Sequence, residues 1–191
     1  AGLYEVEVQP HVETFLSQSP RRVINIGGAD GYYALGMAMR LPEARVEVFE
    51  LDPDSQEVIR AGADLNQFSD RVSVHGVCDP ESIRSVLQAG DLILCDCEGA
   101  ELHLLRPERL QALYSCTLLV ELHDFIFRDT TAVMKHRFRD SHQIHIVPAH
   151  QAPTFPEVPG LQSFSDAERQ IIGTDLRPEG MCWAVMTPRT S

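Results

Sequence analysis

Seven short apolar runs recur along the chain, and their alternation with helix-like stretches constrains the fold more than any other feature. The runs are "RRVINIG", "RVEVFEL", "RVSVHGV", "DLILCD", "TLLVEL", "QIHIVPA" and "MCWAVMTP". Most are continuous rather than alternating, as in strands buried on both faces of a sheet. Stretches of helical character follow the first five: "GYYALGMAMRL", "PDSQEVIRAGADLNQF", "PESIRSVLQAG", "AELHLLRPERLQAL" and "RDTTAVMKHRF". This succession predicts an α/β fold, with a parallel sheet covered by helices on both faces and joined by right-handed crossovers. Asp52 with Pro53, and Asp79 with Pro80, are placed to start the second and third helices.

A chain of 191 residues can bury one sizeable core, so residues 1–191 are read as a single domain. Its opening, "AGLYEVEV", alternates like a strand, and residues 1–20 are read as a segment on the substrate side. The chain starts without Met or a signal-peptide pattern, and is read as trimmed or as lacking an upstream segment. After about residue 148 the pattern breaks. Pro148, Pro153, Pro156 and Pro159 exclude a regular helix or a central strand there. Residues 149–180 are therefore read as a long excursion before the last strand, a lid or substrate-facing loop, with a short helix over Ser165–Ile172.

Charge and cysteine usage narrow the partners. A net charge of −12, with 16 Lys and Arg and no basic run, argues against nucleic acid, whose phosphates are normally met by a basic face. No stretch approaches the roughly 18 apolar residues of a membrane span, so no membrane partner is expected. Cys78, Cys95, Cys97, Cys116 and Cys182 include no CxxC pair. They read as reduced thiols of a cytoplasmic protein rather than as a zinc site. A homo-oligomer is left open.

In an open parallel sheet a ligand sits beyond the carboxyl ends of the strands. The first such end is "VINIGGADGYY". A dinucleotide fingerprint needs glycine at the first, third and sixth places; counted from Gly27, those places hold Gly27, Ala29 and Tyr32. The tighter set Gly27, Ala29 and Gly31 suits a ligand whose amino-acid tail lies against backbone amides at a helix N-terminus. Glu50 ends the second run and can accept both hydroxyls of a ribose. Asp79 follows Val77 and Cys78 where an adenine would lie, and can either accept from its amine or cap the next helix. Asp96, Glu98 and Glu101 follow the fourth run, and Glu121, His123 and Asp124 end the fifth. Acids gathered at neighbouring strand tips are costly unless they bind a cation, a sulfonium, an amine or a metal.

Taken in order, "VINIGGADGYYALGMA", "VFELDP", "DCEGAELHLL" and "LLVELHD" resemble the FkbM-type group of class I S-adenosylmethionine-dependent methyltransferases, over roughly residues 20–148. The resemblance implies a Rossmann-like sheet of seven strands in the order 3-2-1-4-5-7-6, the last antiparallel, and methyl transfer to a hydroxyl. It implies a sugar or natural-product scaffold, a small molecule, as the acceptor. Carried onto this chain, it places Gly27, Ala29 and Gly31 at the methionine end of the cofactor, Glu50 at its ribose and Asp96 beside the active centre. Asn25 departs from the pattern, standing where the group usually has an acid.

A neutral hydroxyl is a poor nucleophile at pH 7, so transfer to it needs a base. His123 is the candidate, positioned by Glu121 or Asp124, with Asp96 and Glu121 completing the catalytic set. Alternatively Asp96, Glu121 and His123 hold Mg²⁺ or Mn²⁺, which would lower the hydroxyl's pKa. His136, His142, His145 and His150 have no ligand spacing. Two other function classes stay in view: a non-catalytic protein of the same fold acting as a scaffold, and an NAD-dependent oxidoreductase.

Overall fold

The computed structural model describes residues 4–149, 160–173 and 180–189. Its sheet is built from β1 (Arg22–Ile26), β2 (Arg45–Phe49), β3 (Val72–His75), β4 (Leu92–Cys95), β5 (Thr117–Leu122), β6 (His142–Pro148) and β7 (Cys182–Pro188). The order is β3-β2-β1-β4-β5-β7-β6, as expected, and β7 runs antiparallel to both of its neighbours. Seven helices accompany the strands among the described residues: α1 (Gln9–Ser17), α2 (Tyr32–Arg40), α3 (Pro53–Leu65), α4 (Pro80–Val86), α5 (Glu101–Leu104), α6 (Thr130–Phe138) and α7 (Asp166–Gly173).

Strand alternation divides the apolar side chains into two cores. Val23, Val48, Leu94, Leu119 and Trp183 face α1, α2 and α3, meeting Phe15, Met37 and Ile59. Ile24, Ile26, Ile93, Val120 and Met186 face the other way, against Ile83 of α4, Leu104 of α5, and Met134 and Phe138 of α6. Burial on both faces is why the runs read as continuous. The order reverses between β1 and β4, which pair in parallel from Val23–Leu92 to Ile26–Cys95. Their carboxyl ends therefore splay their loops apart at one crevice.

Caps mark the helix starts where the sequence placed them. The Asp52 carboxylate accepts from the Ser55 N–H at 2.9 Å. Asp79 accepts from the Glu81 and Ser82 N–H groups, and Ser82 Oγ returns a bond to the Asp79 N–H. The short helix expected over Ser165–Ile172 is α7, one residue on. Ser165 and Glu168 bond each other's backbone in a reciprocal cap.

Two readings are corrected. Residues 4–8 form turns, and the chain then enters α1, which buries Val12, Phe15 and Leu16. Val8, Val12, Phe15 and Leu16 repeat at helical spacing, and Pro10 in the first turn favours a helix start; this longer pattern overrides the brief alternation before it. "AELHLLRPERLQAL" is not one helix. Pro107 disfavours helical geometry in the residue before it, so α5 ends at Leu104 and a 3-10 turn, Gln111–Ser115, resumes beyond it. Residues 150–159 and 174–179 of the expected 149–180 excursion lie outside the described residues.

Ile24 is fully buried on the central strand. Ile24→Ala is expected to cost about 2–5 kcal/mol, read from the midpoint of urea denaturation. A loss below about 1 kcal/mol would show that this face of the sheet is not packed as described.

Candidate active site

The loop after β1 is shaped by how closely it approaches β4. Gly27 has φ 83°, and a Cβ there would lie 1.6 Å from the Asp96 carbonyl oxygen. Only glycine fits. The Gly27 N–H is held by the Phe49 carbonyl at 2.9 Å, which locks the loop to β2 as well. Ala29 also takes a left-handed conformation, φ 45°, and its N–H donates to Glu50 Oε2 at 2.7 Å. The other Glu50 oxygen accepts the Asp52 N–H at 2.8 Å. One carboxylate thus ties the β1 and β2 loops together.

Between these loops and the tip of β4 lies a cavity of about 490 Å³. Its lining includes Gly27, Ala29, Phe49, Glu50, Val77, Asp96 and Glu98. The lining does not include Gly31 or Asp79. Gly31 is the left-handed residue that starts α2. Asp79 caps α4 from an exposed position, its pKa lowered by the Ser82 backbone N–H and hydroxyl and by the Glu81 N–H.

The acidic cluster forms where Asp96 and Glu98 meet His123. His123 follows β5, and its side chain is fully buried. Its Nδ1 lies 2.9 Å from Glu101 Oε1. A carboxylate only accepts, so Nδ1 carries the proton of that contact. Nε2 faces three further carboxylates: Glu121 at 3.4 Å, Glu98 at 3.5 Å and Asp96 at 3.6 Å. Asp96, Glu98 and His123 each offer a donor atom within 4.8 Å of the other two.

Burial and crowding shift these groups strongly. Burial, followed by the hydrogen bond and charge of Glu121, pushes the Asp96 carboxyl up to about 9. Burial opposes the charged form of His123, but Glu101 and Glu121 outweigh it and raise the imidazole to about 10. Burial likewise opposes ionisation of Glu101, yet His123 and backbone N–H groups hold its carboxyl below the usual range.

Of the expected site residues, the structure brings together Gly27, Ala29, Glu50 and Asp96 around the cavity, and Asp96, Glu121 and His123 in the cluster. Asp124 is not the partner of His123. Its carboxylate accepts from the Thr131 N–H at 3.1 Å and from the Thr131 hydroxyl, so it secures the first turn of α6. The carboxylate nearest His123 is that of Glu101, at 2.9 Å, a residue which the sequence shows only as part of an acidic stretch. Glu98 was grouped the same way. Its φ of 54° turns the chain back so that its carboxylate meets His123 across the strand gap.

Asn25 spans the turn, donating to the Gly27 carbonyl at 3.1 Å while its own side-chain oxygen is buried without a hydrogen bond. The Tyr33 hydroxyl donates to the buried Glu5 carboxylate, whose charge reaches Asp96. Trp183 pairs in register with Glu121 and packs on the α1–α3 face. The sulfurs of Cys95 and Cys97, two residues apart, lie 3.6 Å from each other.

A solved structure of the O-methyltransferase from Bacillus cereus, in complex with S-adenosylhomocysteine (SAH), superposes with a TM-score of 0.57 at 17% identity, covering 94% of this chain and 82% of that one. The chain has the class I methyltransferase fold. No family model matches it. Within that fold, 97 residues are 34% identical to a tRNA1(Val) (adenine(37)-N6)-methyltransferase of Porphyromonas gingivalis, covering 49% of this chain and 38% of the relative. A similar stretch of 98 residues is 32% identical to a ribosomal protein L11 methyltransferase of Pelobacter propionicus, covering 51% and 30%. The matches thus span well under half the length of these relatives.

These relatives correct the expectation of a small-molecule acceptor and no nucleic acid: their names give tRNA and a ribosomal protein as substrates. The physical reason is that net charge sums over the whole chain, whereas phosphate contacts need only a local face. Among the described residues, no helix is long and apolar enough to cross a membrane.

The loop geometry makes a paired prediction. Gly27→Ala is expected to cost at least about 2 kcal/mol through backbone collision and strain. Gly36→Ala, in α2 with nothing within 4 Å of its added Cβ, is expected to stabilise by about 0.5–1 kcal/mol. Denaturant titration of both variants tests the pair, and equal effects would contradict the described approach of the loop to β4.

Proposed function

We propose that the chain binds S-adenosylmethionine and transfers its methyl group to an acceptor hydroxyl, in the manner of FkbM-type enzymes. One observation carries the reading: the Gly27–Ala29 loop, Glu50, Asp96 and Glu98 line a single cavity. On this reading the backbone at Gly27 and Ala29 receives the methionine end, where no side chain stands in the way. Glu50 accepts the ribose hydroxyls, and Phe49 and Val77 give the adenine apolar walls. Asp96 faces the sulfonium end, where the cofactor's positive charge would favour its ionised form.

Bound S-adenosylmethionine supplies the electrophilic methyl group. The residues of this chain align the acceptor and remove its proton. Asp96, Glu121 and His123 are the groups proposed to take that proton, once the cofactor's positive charge lowers Asp96 and His123 from the values at which they keep their own. Glu101 acts on them through His123, as a positioning residue. Glu5, Tyr33 and Trp183 lie on the adjoining α1–α3 face and suit an acceptor wall, so the N-terminal segment is assigned to the substrate side.

A second reading rests on the named substrates of the two curated relatives: transfer to an amine, in tRNA or in a protein. The same cofactor cavity serves it, with Asp96 close to the nitrogen's departing proton. A scaffold of this fold would bind cofactor and transfer nothing.

Calorimetry separates the cofactor classes. SAH is expected to bind and NAD is not. Glu50→Ala is expected to weaken SAH by at least about tenfold, or 1.4 kcal/mol. Labelled methyl transfer is then assayed against hydroxyl acceptors, bulk tRNA and ribosomal protein. Asp96→Asn is expected to abolish transfer to whichever acceptor responds. Binding of NAD in place of SAH would overturn the reading, and SAH binding with no transfer in any arm would favour the scaffold.

A further inference from the structure

The nitrogen of His123 that faces away from Glu101 is in an electrostatic position that calls for a cation. Four carboxylates gather around this one ring, Glu101 at Nδ1 and Glu121, Glu98 and Asp96 at Nε2, and either a proton or a metal ion on Nε2 offsets their charge. That nitrogen is fully buried and makes no hydrogen bond. Carboxylate oxygens stand 3.4–3.6 Å from it on Glu121, Glu98 and Asp96. These separations are too long for strong hydrogen bonds. They match two ligands sharing one ion, since donors each about 2.1 Å from a cation sit about 3 Å or more apart.

We propose that His123 Nε2, Asp96 and Glu98, flanked by Glu121, form a binding site for one divalent first-row cation at the cofactor cavity. The donor set names the class. Three carboxylates suit Mg²⁺ or Mn²⁺, whereas an imidazole ligand is unusual for Mg²⁺ and ordinary for Mn²⁺ or Fe²⁺. Mn²⁺ satisfies both. The supporting shell is also present: Glu101 fixes the imidazole through Nδ1, as outer carboxylates do for metal-bound histidines. Glu101 is itself held by the Cys97 and Gly99 N–H groups, both at 3.2 Å.

Glu98 supplies an entry route, because its side chain is 78% exposed while His123 is fully buried. Asp96 and Glu98 also line the cavity. A cation held by them would stand where an acceptor oxygen meets the cofactor, and would lower that oxygen's pKa. On this assignment His123 is a ligand and not the base. The inference deepens the methyl-transfer reading, but the existence of the site is independent of it.

The test uses Mn²⁺ itself, with the loss of the free-ion electron paramagnetic resonance signal as the readout, on the full chain after EDTA treatment and dialysis. One saturable site per chain is expected. Glu98→Gln changes an exposed side chain and so leaves the fold intact; it is expected to weaken Mn²⁺ by at least about tenfold. Glu101→Gln is expected to weaken it by about 10–100-fold through the outer shell. SAH calorimetry in EDTA, run on the same samples, keeps the two ideas apart. SAH binding without a saturable Mn²⁺ site overturns the metal proposal and leaves the cofactor reading standing. Mn²⁺ binding without SAH does the reverse. Mn²⁺ binding that is unchanged in Glu98→Gln places the ion elsewhere and overturns the assignment.

Discussion

The carboxylate of Glu101 is the joint on which the site turns. It is fully buried, a costly position for a charge unless its hydrogen-bond capacity is met. One of its oxygens accepts from the Cys97 and Gly99 N–H groups and lies 2.9 Å from His123 Nδ1, while the other is buried without a hydrogen bond. Two of these partners belong to the turn after β4, and the third follows β5. The contact therefore sets both the fold of the Glu98 turn and the direction in which the imidazole presents its second nitrogen. Without it, Asp96 and Glu98 after β4 and Glu121 on β5 would be acids on two strand ends with one fewer contact drawing them to the same ring.

Much of the architecture is visible in the chain because burial on two faces leaves an obvious trace. Continuous runs such as "DLILCD" can only be central strands when helical stretches separate them, and Asp-Pro pairs mark where those helices begin. The loop after β1 is equally plain, since Gly27 must pass the Asp96 carbonyl where no side chain fits. What escapes is anything that depends on a turn folding back through space. Spacing shows that Glu98 and Glu101 are near Asp96. It does not show that a left-handed residue at 98 sends one carboxylate towards His123 while the other fixes the opposite side of the same ring. The first helix was missed for another reason: five alternating residues looked like a strand before the longer period had room to appear.

Asp79 and Asp124 illustrate the ambiguity of an acid at a strand end. Both stand where a ligand contact is plausible, and both are occupied with helix starts, through Ser82 and Thr131 respectively. Backbone N–H groups at the start of a helix compete with any ligand for such carboxylates. The acceptor is subject to a similar lesson about scale. An overall charge of −12 describes the average surface, and recognition is decided over a patch far smaller than that average.

The brace formed by Glu50 has a kinetic consequence. Both of its oxygens hold backbone amides of the flanking loops, so these walls are braced by the protein's own bonds. A ligand entering such a cavity meets little loop reorganisation, and little of its interaction energy is lost to ordering the protein. Its association is then governed by diffusion and orientation rather than by a slow closing step. In that sense the Glu50 side of the cavity behaves as a lock already cut, and adaptation to a further molecule falls to Glu98 and the segment that carries Glu5.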